Sequence, residues 1–363
     1  MRLYSLIVTT VLSFAVVLPI QAENHSDKNN KEPHDKFSRQ ISFGDSLSDV
    51  GSYAVGTIAA LGGGEFTVNG PGVQNWTGVM AAKFGLSEPC AAQTGLDGEA
   101  SLGLKVMPPT NHQACTGYAQ GGARITNPIG IGNKATGGAN EILGFLTVPV
   151  VDQIQNHLNN NHGKFSDDEI VFVFAGANDI FFQLALLQAG AIDPNTAVSS
   201  IATAANELAI SINTKIVGNG ARHVVVLNVP DIAITPMGAT FDPATRNFID
   251  SMVKTFNVQL KVGVAANSHH VLYVDTYSES YSQYVNPGAY GLSNVTNTAC
   301  DLTPAKNPFG SSLICSPYNL TAGDTSHYLF ADMVHPTPFG YELIANLVSH
   351  EMENRGWRRH NKH

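Results

Sequence analysis

Residues 169–175 read EIVFVFA, and this stretch decides the fold. After one acid it is a continuous run of β-branched and aromatic residues, which is typical of a strand buried on both faces of a sheet. Two similar runs follow, HVVVLN at 223–228 and VLYVD at 271–275, and a shorter strand is predicted at residues 37–43. The chain therefore contains several strands of the kind that forms the interior of an α/β domain.

Helical patterns separate these strands. Helices are predicted at residues 46–61, 148–158, 180–188, 196–217, 243–266, 276–284 and 339–354. Strands that alternate with helices, without hairpin signals, need crossover connections and therefore form a parallel sheet. We predict a three-layer α/β/α fold with a central parallel sheet, of the flavodoxin-like type. Residues 62–147 and 285–331, rich in Gly, Pro and Asn, are predicted to be long insertions at one edge of this sheet.

Composition narrows the class of protein. The 363 residues are 43% hydrophobic and 13% charged, which excludes a disordered chain and a coiled coil. The net charge of −9 argues against a surface that binds nucleic acid. The length fits one large domain, which we place at residues 39–353.

The N-terminus resembles an export signal. Arg2 precedes an apolar run at residues 6–20, which is shorter than the ~20 residues that span a bilayer. Residues 1–22 are therefore predicted to be a signal peptide, and residues 23–38 a flexible leader. The protein is expected to be exported, either secreted or periplasmic. The basic tail at 354–363 is predicted to be solvated, with transient contact to anionic lipid headgroups as the alternative.

The four cysteines allow three disulfide pairings. The local pairing joins Cys90 to Cys115 and Cys300 to Cys315, and it closes one loop in each long insertion. Zinc binding is the alternative, but the chain has no Cys-x-x-Cys and no His at ligand spacing beside these residues. In an exported protein, disulfides are the expected state.

A serine follows the first predicted strand in the sequence Gly44-Asp45-Ser46-Leu47. At such a turn the hydroxyl is exposed at the carboxyl edge of the sheet. The N–H of the same serine can point toward a developing oxyanion. The alternative role for Ser46 is that of a helix N-cap.

A carboxylate and a histidine lie three residues apart at Asp332 and His335, just before the last predicted helix. In a turn, Asp332 can reach Nδ1 of the imidazole and leave Nε2 free to take a proton from a serine. Pro336 keeps His335 out of the following helix, because a residue before proline is disfavoured in the α region. The alternative is an ordinary Asp cap beside a surface histidine.

Two further segments carry hydrogen-bond donors that could serve the same site. Asn178 follows the 169–175 strand, and its amide can donate to an oxyanion without carrying charge. Its alternative role is a turn or cap residue. The glycines of GGA at 121–123 permit close approach of a backbone N–H, although glycine pairs are common in loops.

In this order, the four segments resemble the sequence blocks of the GDSL family of lipases and esterases, also called SGNH hydrolases. GDSL at 44–47 matches the first block, GGA at 121–123 the second, GAND at 176–179 the third and DMVH at 332–335 the last. The resemblance spans residues 39–350. An Asn-Gly-Pro…Trp segment after the first block of the larger members also has a counterpart here, ending at Trp76.

The resemblance implies a role for each matching residue. Ser46 is the implied nucleophile, His335 the general base and Asp332 the carboxylate that orients it. The implied oxyanion hole consists of the N–H groups of Ser46 and Gly122 and the side-chain amide of Asn178.

The choice of Gly122 rests on register, because the glycine of the family usually lies five positions after an asparagine. Gly117 occupies that position here, a departure that leaves Gly121 as the alternative donor.

The implied activity is that of an exported serine esterase acting on lipid esters through an acyl-enzyme. Lipase, phospholipase A and lysophospholipase activities are expected, with acyl transfer to an alcohol as a further outcome. The alternatives are a carbohydrate O-acetyl or short-chain esterase and, more remotely, a non-catalytic surface-binding protein.

No cofactor and no metal are expected, because the sequence contains no dinucleotide-binding, zincin, P-loop or EF-hand pattern. The expected partner is a lipid or other ester. Nucleic acid is not expected, and the sequence gives no indication of oligomeric state. The apolar stretches at 102–109 and 139–151 are expected either to line an acyl groove or to belong to the core.

Overall fold

The central sheet is seen in a computed structural model that describes residues 37–136 and 143–358. The predicted signal peptide, most of the predicted leader and residues 359–363 of the basic tail lie outside the described residues. Phe37 already belongs to the fold, because its buried ring packs edge-on against Phe84.

The elements follow in chain order. The strands are β1 (Arg39–Gly44), β2 (Gln93–Asp97), β3 (Val106–Asn111), β4 (Glu169–Phe174), β5 (His223–Leu227), β6 (Val271–Val274), β7 (Asn294–Thr298) and β8 (Tyr328–Phe330). The α-helices are α1 (Gly56–Ala60), α2 (Trp76–Phe84), α3 (Val150–Asn160), α4 (Ala177–Gln188), α5 (Pro194–Ser211), α6 (Pro243–Val264), α7 (Thr276–Val285) and α8 (Pro338–Asn354).

Four of these strands form a parallel sheet in the order β1-β4-β5-β6. Gly44 lies opposite Phe174, Phe174 opposite Leu227, and Leu227 opposite Val274. The carboxyl ends of the strands are therefore level, so the residues that follow them meet at one edge. Gly44 itself is needed there, because a Cβ would lie 2.1 Å from the carbonyl oxygen of Phe174.

Helices cover both faces of the sheet, as the three-layer α/β/α prediction requires. Along β4, Phe172 and Phe174 pack into a core with α2 and α8, whereas Val171 and Val173 pack with α3 to α6. This alternation follows from the two-residue period of a strand. The predicted fold class is confirmed, and the predicted buried strands agree with β4, β5 and β6 to within one residue at each end.

The predicted helix at residues 46–61 is wrong. The chain instead forms a 3-10 turn at Ser46–Ser48 and then only the short helix α1. The carboxylate of Asp49 accepts hydrogen bonds from the N–H groups of Gly51 and Ser52, at 2.9 and 2.7 Å. An Asp side chain that binds backbone N–H groups in this way favours a turn over a continuing helix.

The two long connections carry their own small structures. Residues 62–147 include the antiparallel pair β2–β3, and residues 285–331 include the parallel pair β7–β8. The structure has the local disulfide pairing, with Cys90–Cys115 in the first connection and Cys300–Cys315 in the second. In the part of the chain that the structure describes, no helix is both long and apolar enough to cross a membrane.

Candidate active site

Ser46 lies immediately beyond β1, at the carboxyl edge of the sheet. It opens the 3-10 turn Ser46–Ser48, which Asp45 caps by accepting the N–H of Leu47 at 3.1 Å. The indole N–H of Trp76 donates to the Ser48 hydroxyl at 3.1 Å and fixes the turn from below. As the first residue of the turn, Ser46 has no acceptor for its own N–H within that turn.

His335 reaches Ser46 across 289 positions of sequence, with Nε2 at 2.8 Å from the serine Oγ. The other ring nitrogen, Nδ1, lies 2.8 Å from Oδ2 and 2.9 Å from Oδ1 of Asp332. Because a carboxylate can only accept, Nδ1 carries the proton and Nε2 is free to accept the serine proton. The ring of Phe66 packs on the imidazole with centroids 4.9 Å apart and holds its orientation.

Asp332 is buried and is held by three backbone N–H groups. Val334 and His335 donate to Oδ1 at 3.0 and 2.8 Å, and Ser312 donates to Oδ2 at 2.8 Å. Burial alone would raise the pKa of Asp332, but its interaction with the His335 imidazole and these hydrogen bonds hold the pKa well below its usual range. Asp332 therefore stays anionic beside the imidazole.

The glycine segment runs beside the outer edge of β1 before it turns into the site. Gly117 pairs in parallel with Ser42, and Tyr118 N–H donates to the Ser42 carbonyl at 2.8 Å. This pairing carries the following residues to the same edge of the sheet as Ser46. There, Gly122 lines the cavity and adopts a φ of +79°, and a Cβ on it would lie 1.9 Å from the Ile131 carbonyl oxygen.

The two glycines of this segment differ in what their N–H groups do. Gly121 N–H donates to Asp49 Oδ2 at 2.8 Å, whereas Gly122 N–H donates to no group in residues 37–136 and 143–358. Asn178 uses one amide hydrogen on the Ala123 carbonyl, at 3.0 Å, and has a second one available. The geometry therefore favours Gly122 over Gly121 as an oxyanion donor.

A cavity of about 530 Å³ opens at the serine and histidine. Ser46, Gly122, Asn178, Asp332 and His335, the five predicted site residues, all line it. Most of its other walls are apolar side chains, among them those of Phe66, Leu143, Phe145, Phe181, Leu184, Ile232, Met237, Phe241, Phe309 and Phe330.

The two apolar stretches singled out in the sequence have different positions. Leu143 and Phe145, from 139–151, line the cavity, whereas none of the described side chains of 103–109 does. Leu104, from the latter stretch, is fully buried and belongs to the same hydrophobic cluster as the cavity-lining residues Phe66, Leu143 and Phe145. Residues 139–142 lie outside the described residues.

Sequence reasoning missed Phe66 and Ser312. Phe66 acts through the face of its ring and Ser312 through its backbone N–H, so neither belongs to a residue pattern. The signal that could have pointed to Ser312 is its position three residues before Cys315, inside a closed loop. Among the described residues, no group of three His, Cys, Asp or Glu side chains could hold a metal ion.

Comparisons with known proteins identify the family of the chain. The family model for the GDSL-like lipase/acylhydrolase matches residues 41–348. Esterase EstA of Pseudomonas aeruginosa is 27% identical over 329 residues, covering 85% of this chain and 46% of EstA. A GDSL esterase/lipase of Arabidopsis thaliana is 24% identical over 330 residues, covering 85% of this chain and 86% of that protein.

A second Arabidopsis GDSL esterase/lipase is 28% identical over 144 residues, covering 36% of this chain and 39% of that protein. The chain thus spans less than half the length of some of the relatives it matches. Phospholipase A1 from Streptomyces albidoflavus aligns in structure with a TM-score of 0.40 and 13% identity, over 87% of this chain and 99% of that one. Because the family model covers most of its length, the chain belongs to the GDSL-like lipase/acylhydrolase family.

Proposed function

We propose that this protein is a serine esterase that cleaves carboxylic esters through an acyl-enzyme on Ser46. One observation carries the proposal: Asp332, His335 and Ser46 form an unbroken hydrogen-bond chain with contacts of 2.8 Å. This series of hydrogen bonds ends at Ser46, which lines a cavity whose walls are mostly apolar. Membership of a family of lipases and acylhydrolases supports the same chemistry.

The proposed reaction begins when Ser46 Oγ attacks the ester carbonyl carbon and its proton passes to Nε2 of His335. Asp332 stabilises the imidazolium that results. Hydrogen bonds from the N–H groups of Ser46 and Gly122 and from the amide of Asn178 stabilise the negative charge on the former carbonyl oxygen. The tetrahedral intermediate then collapses, and the alcohol leaves with the proton from His335.

Water then hydrolyses the acyl-enzyme, and His335 again acts first as a base and then as an acid. His335 takes a proton from the water as it attacks, and returns it to Ser46 Oγ when the acid is released. An alcohol in place of water would give acyl transfer, since the acyl-enzyme is common to both reactions. Hydrolysis and transfer therefore compete for one intermediate.

The walls of the cavity favour lipid acyl chains over sugars as the bound group. Each methylene that leaves water contributes ~0.8 kcal/mol, so an apolar cavity selects longer chains. Sugar sites commonly use an exposed aromatic platform, but Trp76 is fully buried and Trp357 nearly so, and neither lines the cavity. We therefore propose lipase, phospholipase A or lysophospholipase activity rather than O-acetyl esterase activity.

Export is part of the proposal. The apolar segment at residues 1–22 supports it, as do the two disulfides, because such bonds persist in oxidising compartments. A secreted or periplasmic enzyme of this kind would meet its substrate at a lipid surface. Contact with that surface is proposed to be transient. The basic tail at 354–363 is proposed to be solvated, with contact to anionic headgroups as the alternative.

The test combines active-site labelling with a panel of substrates. A fluorophosphonate should label the wild type at Ser46, and Ser46→Ala should lose labelling and at least ~10⁴-fold in kcat. Ser251→Ala, on the exposed side of α6, is the matched control and should behave as wild type. A folded wild type that is neither labelled nor active would refute the esterase.

Substrate class is read from p-nitrophenyl esters of increasing chain length and from phospholipids and lysophospholipids, with and without cholesterol. Rising kcat/KM with chain length is expected. A preference for acetate would overturn the lipid assignment while leaving the esterase intact.

A further inference from the structure

Asp49 joins the turn that carries Ser46 to the glycine segment on the other side of the site. Its carboxylate is completely buried. Oδ1 accepts the N–H groups of Gly51 and Ser52, at 2.9 and 2.7 Å, and Oδ2 accepts Gly121 N–H at 2.8 Å together with the Ser52 hydroxyl. Every one of these partners is a donor, so only a group with two acceptor atoms satisfies them all.

Asp179 holds the same segment from its other end. Its Oδ2 accepts Ile125 N–H at 3.0 Å, and its Oδ1 pairs with Nε of Arg124 at 3.2 Å. Both partners follow Gly122 in the chain, whereas the Asp49 partner precedes it. Two buried carboxylates therefore hold the chain on either side of Gly122, whose N–H donates to no group among the described residues.

We propose that Asp49 and Asp179 are positioning residues that fix the Gly122 N–H toward the carbonyl oxygen of the substrate. This inference rests on the proposed esterase function. Oxyanion donors are effective because they are in place before charge develops, and a glycine turn without side-chain contacts could not hold an N–H in one direction.

The cost of burying these carboxylates supports a function for them. Burial raises the pKa of Asp49 to about 6 and that of Asp179 to about 6, against the opposing effect of their hydrogen-bond partners. Their charged forms are therefore disfavoured by the protein interior. Two carboxylates whose burial is unfavourable, placed on either side of one N–H, are expected where the direction of that N–H matters for function.

The decisive variant is Asp49→Asn. An asparagine puts an NH₂ group against donors whichever way its amide turns, because both oxygens of Asp49 accept N–H groups. The glycine turn should then shift. We expect kcat per labelled site to fall ~10–100-fold with KM within about twofold, below the 10²–10³ lost when an oxyanion donor is removed outright.

A trifluoromethyl ketone provides a readout that general destabilisation would not move. It adds to the serine as a tetrahedral oxyanion, so its affinity should fall by the same factor as kcat/KM. The number of competent sites is fixed separately from the endpoint of fluorophosphonate labelling. If Asp49→Asn does not fold, Asp179→Asn carries the same test from the other end of the segment.

Glu169→Gln is the matched control. Glu169 is also a buried carboxylate that accepts a backbone N–H, from Ser166 at 2.8 Å, and it pairs with Arg39 at the opposite edge of the sheet. The Glu169→Gln variant should have a lower Tm and an unchanged kcat per labelled site. The proposal is overturned if Asp49→Asn keeps wild-type kcat and inhibitor affinity, or if Glu169→Gln loses both equally. Failure of the wild type to label at all would instead refute the esterase function.

Discussion

The two disulfide-closed loops are similar in the sequence and differ in the structure. The first loop, Cys90–Cys115, closes 25 positions and includes the β2–β3 hairpin, and the second loop, Cys300–Cys315, closes 15 positions. Cys90 is exposed, whereas Cys300 and Cys315 are both fully buried. The first disulfide is thus at the surface and the second is inside the protein.

Their contacts with the site differ in the same way. The second loop supplies the Ser312 N–H to Asp332, and Phe309 within it lines the cavity. None of the described side chains of the first loop lines the cavity. This loop contacts the segments that carry the site instead: the Cys90 carbonyl accepts Gly117 N–H at 3.1 Å, Gly95 N–H donates to the Ser52 carbonyl at 3.0 Å, and the Gln93 side chain accepts the Gln120 amide at 3.0 Å. A disulfide restricts the unfolded chain in either place, but only the second closes a loop that donates a hydrogen bond to Asp332.

Among the changes that test this difference between the loops, removal of the second disulfide should have the largest effect on stability and kcat. Cys300→Ala with Cys315→Ala should lose ~3 kcal/mol of stability in the chain-entropy treatment of a loop this long. It should also lower kcat per labelled site ~10–100-fold, because the Ser312 N–H would no longer be fixed on Asp332. Urea unfolding measures the loss of stability. Turnover rates divided by the number of sites that react in the initial burst measure the loss of kcat.

The control is the corresponding change in the first loop, Cys90→Ala with Cys115→Ala. It should lower stability by a similar amount and leave kcat per labelled site unchanged, since Asp49 still holds Gly121. Equal losses of kcat in the two variants would show that the loops do not differ in the way their contacts indicate.

A smaller effect is expected from the side chain that the second loop places in the cavity. Phe309→Ala removes an aromatic wall, and burial of such a side chain is worth ~1.5–3 kcal/mol. We expect kcat/KM for long-chain p-nitrophenyl esters to fall ~10-fold relative to the acetate ester. Tyr318→Ala, an exposed aromatic shortly after the same loop, should leave this ratio unchanged. A uniform loss on all chain lengths would place Phe309 outside the acyl site.

Sequence alone could predict the parts of this molecule that depend on local patterns. The runs that became β4, β5 and β6 carry their own burial signal, and each block residue lies next to a strand or turn that can be recognised. The helix expected at 46–61 failed because propensity ignores the Asp49 carboxylate, which captures two backbone N–H groups.

The differing roles of the two loops were out of reach for a related reason. The Ser312 contact is made by a backbone N–H, so any residue type at that position could make it. The contact of Phe66 with His335 joins residues from distant parts of the chain, and it depends on how the long connections fold back. No pattern of residue type predicts either contact, although the position of Ser312 inside a disulfide-closed loop is a signal for the first.

The last prediction concerns Glu65, where the first long connection meets the second loop. Asn69 donates to the Glu65 carbonyl at 2.9 Å and to the carbonyl of Cys315 at 3.1 Å, and the Glu65 carboxylate accepts Asn75 N–H at 2.9 Å. Burial raises the pKa of Glu65 to about 8, despite the Asn75 hydrogen bond. The folded protein therefore holds a proton that the unfolded chain releases near pH 4.5.

A raised pKa lowers stability as pH increases, because between the two pKa values the folded state binds more protons than the unfolded state. Glu65→Gln keeps a carbonyl acceptor for Asn75 and removes the titration. Its stability relative to wild type should therefore rise between pH 6 and pH 8, by roughly 1 kcal/mol per pH unit. Urea unfolding with disulfides intact measures this difference. Glu99→Gln is the control. Glu99 caps a short turn in the first loop, and hydrogen bonds from Ser101 lower its pKa. The stability of this variant should depend on pH in the same way as that of the wild type over this range. Parallel curves for Glu65→Gln as well would mean that the carboxylate at the junction with the second loop is hydrated and already ionised at pH 6.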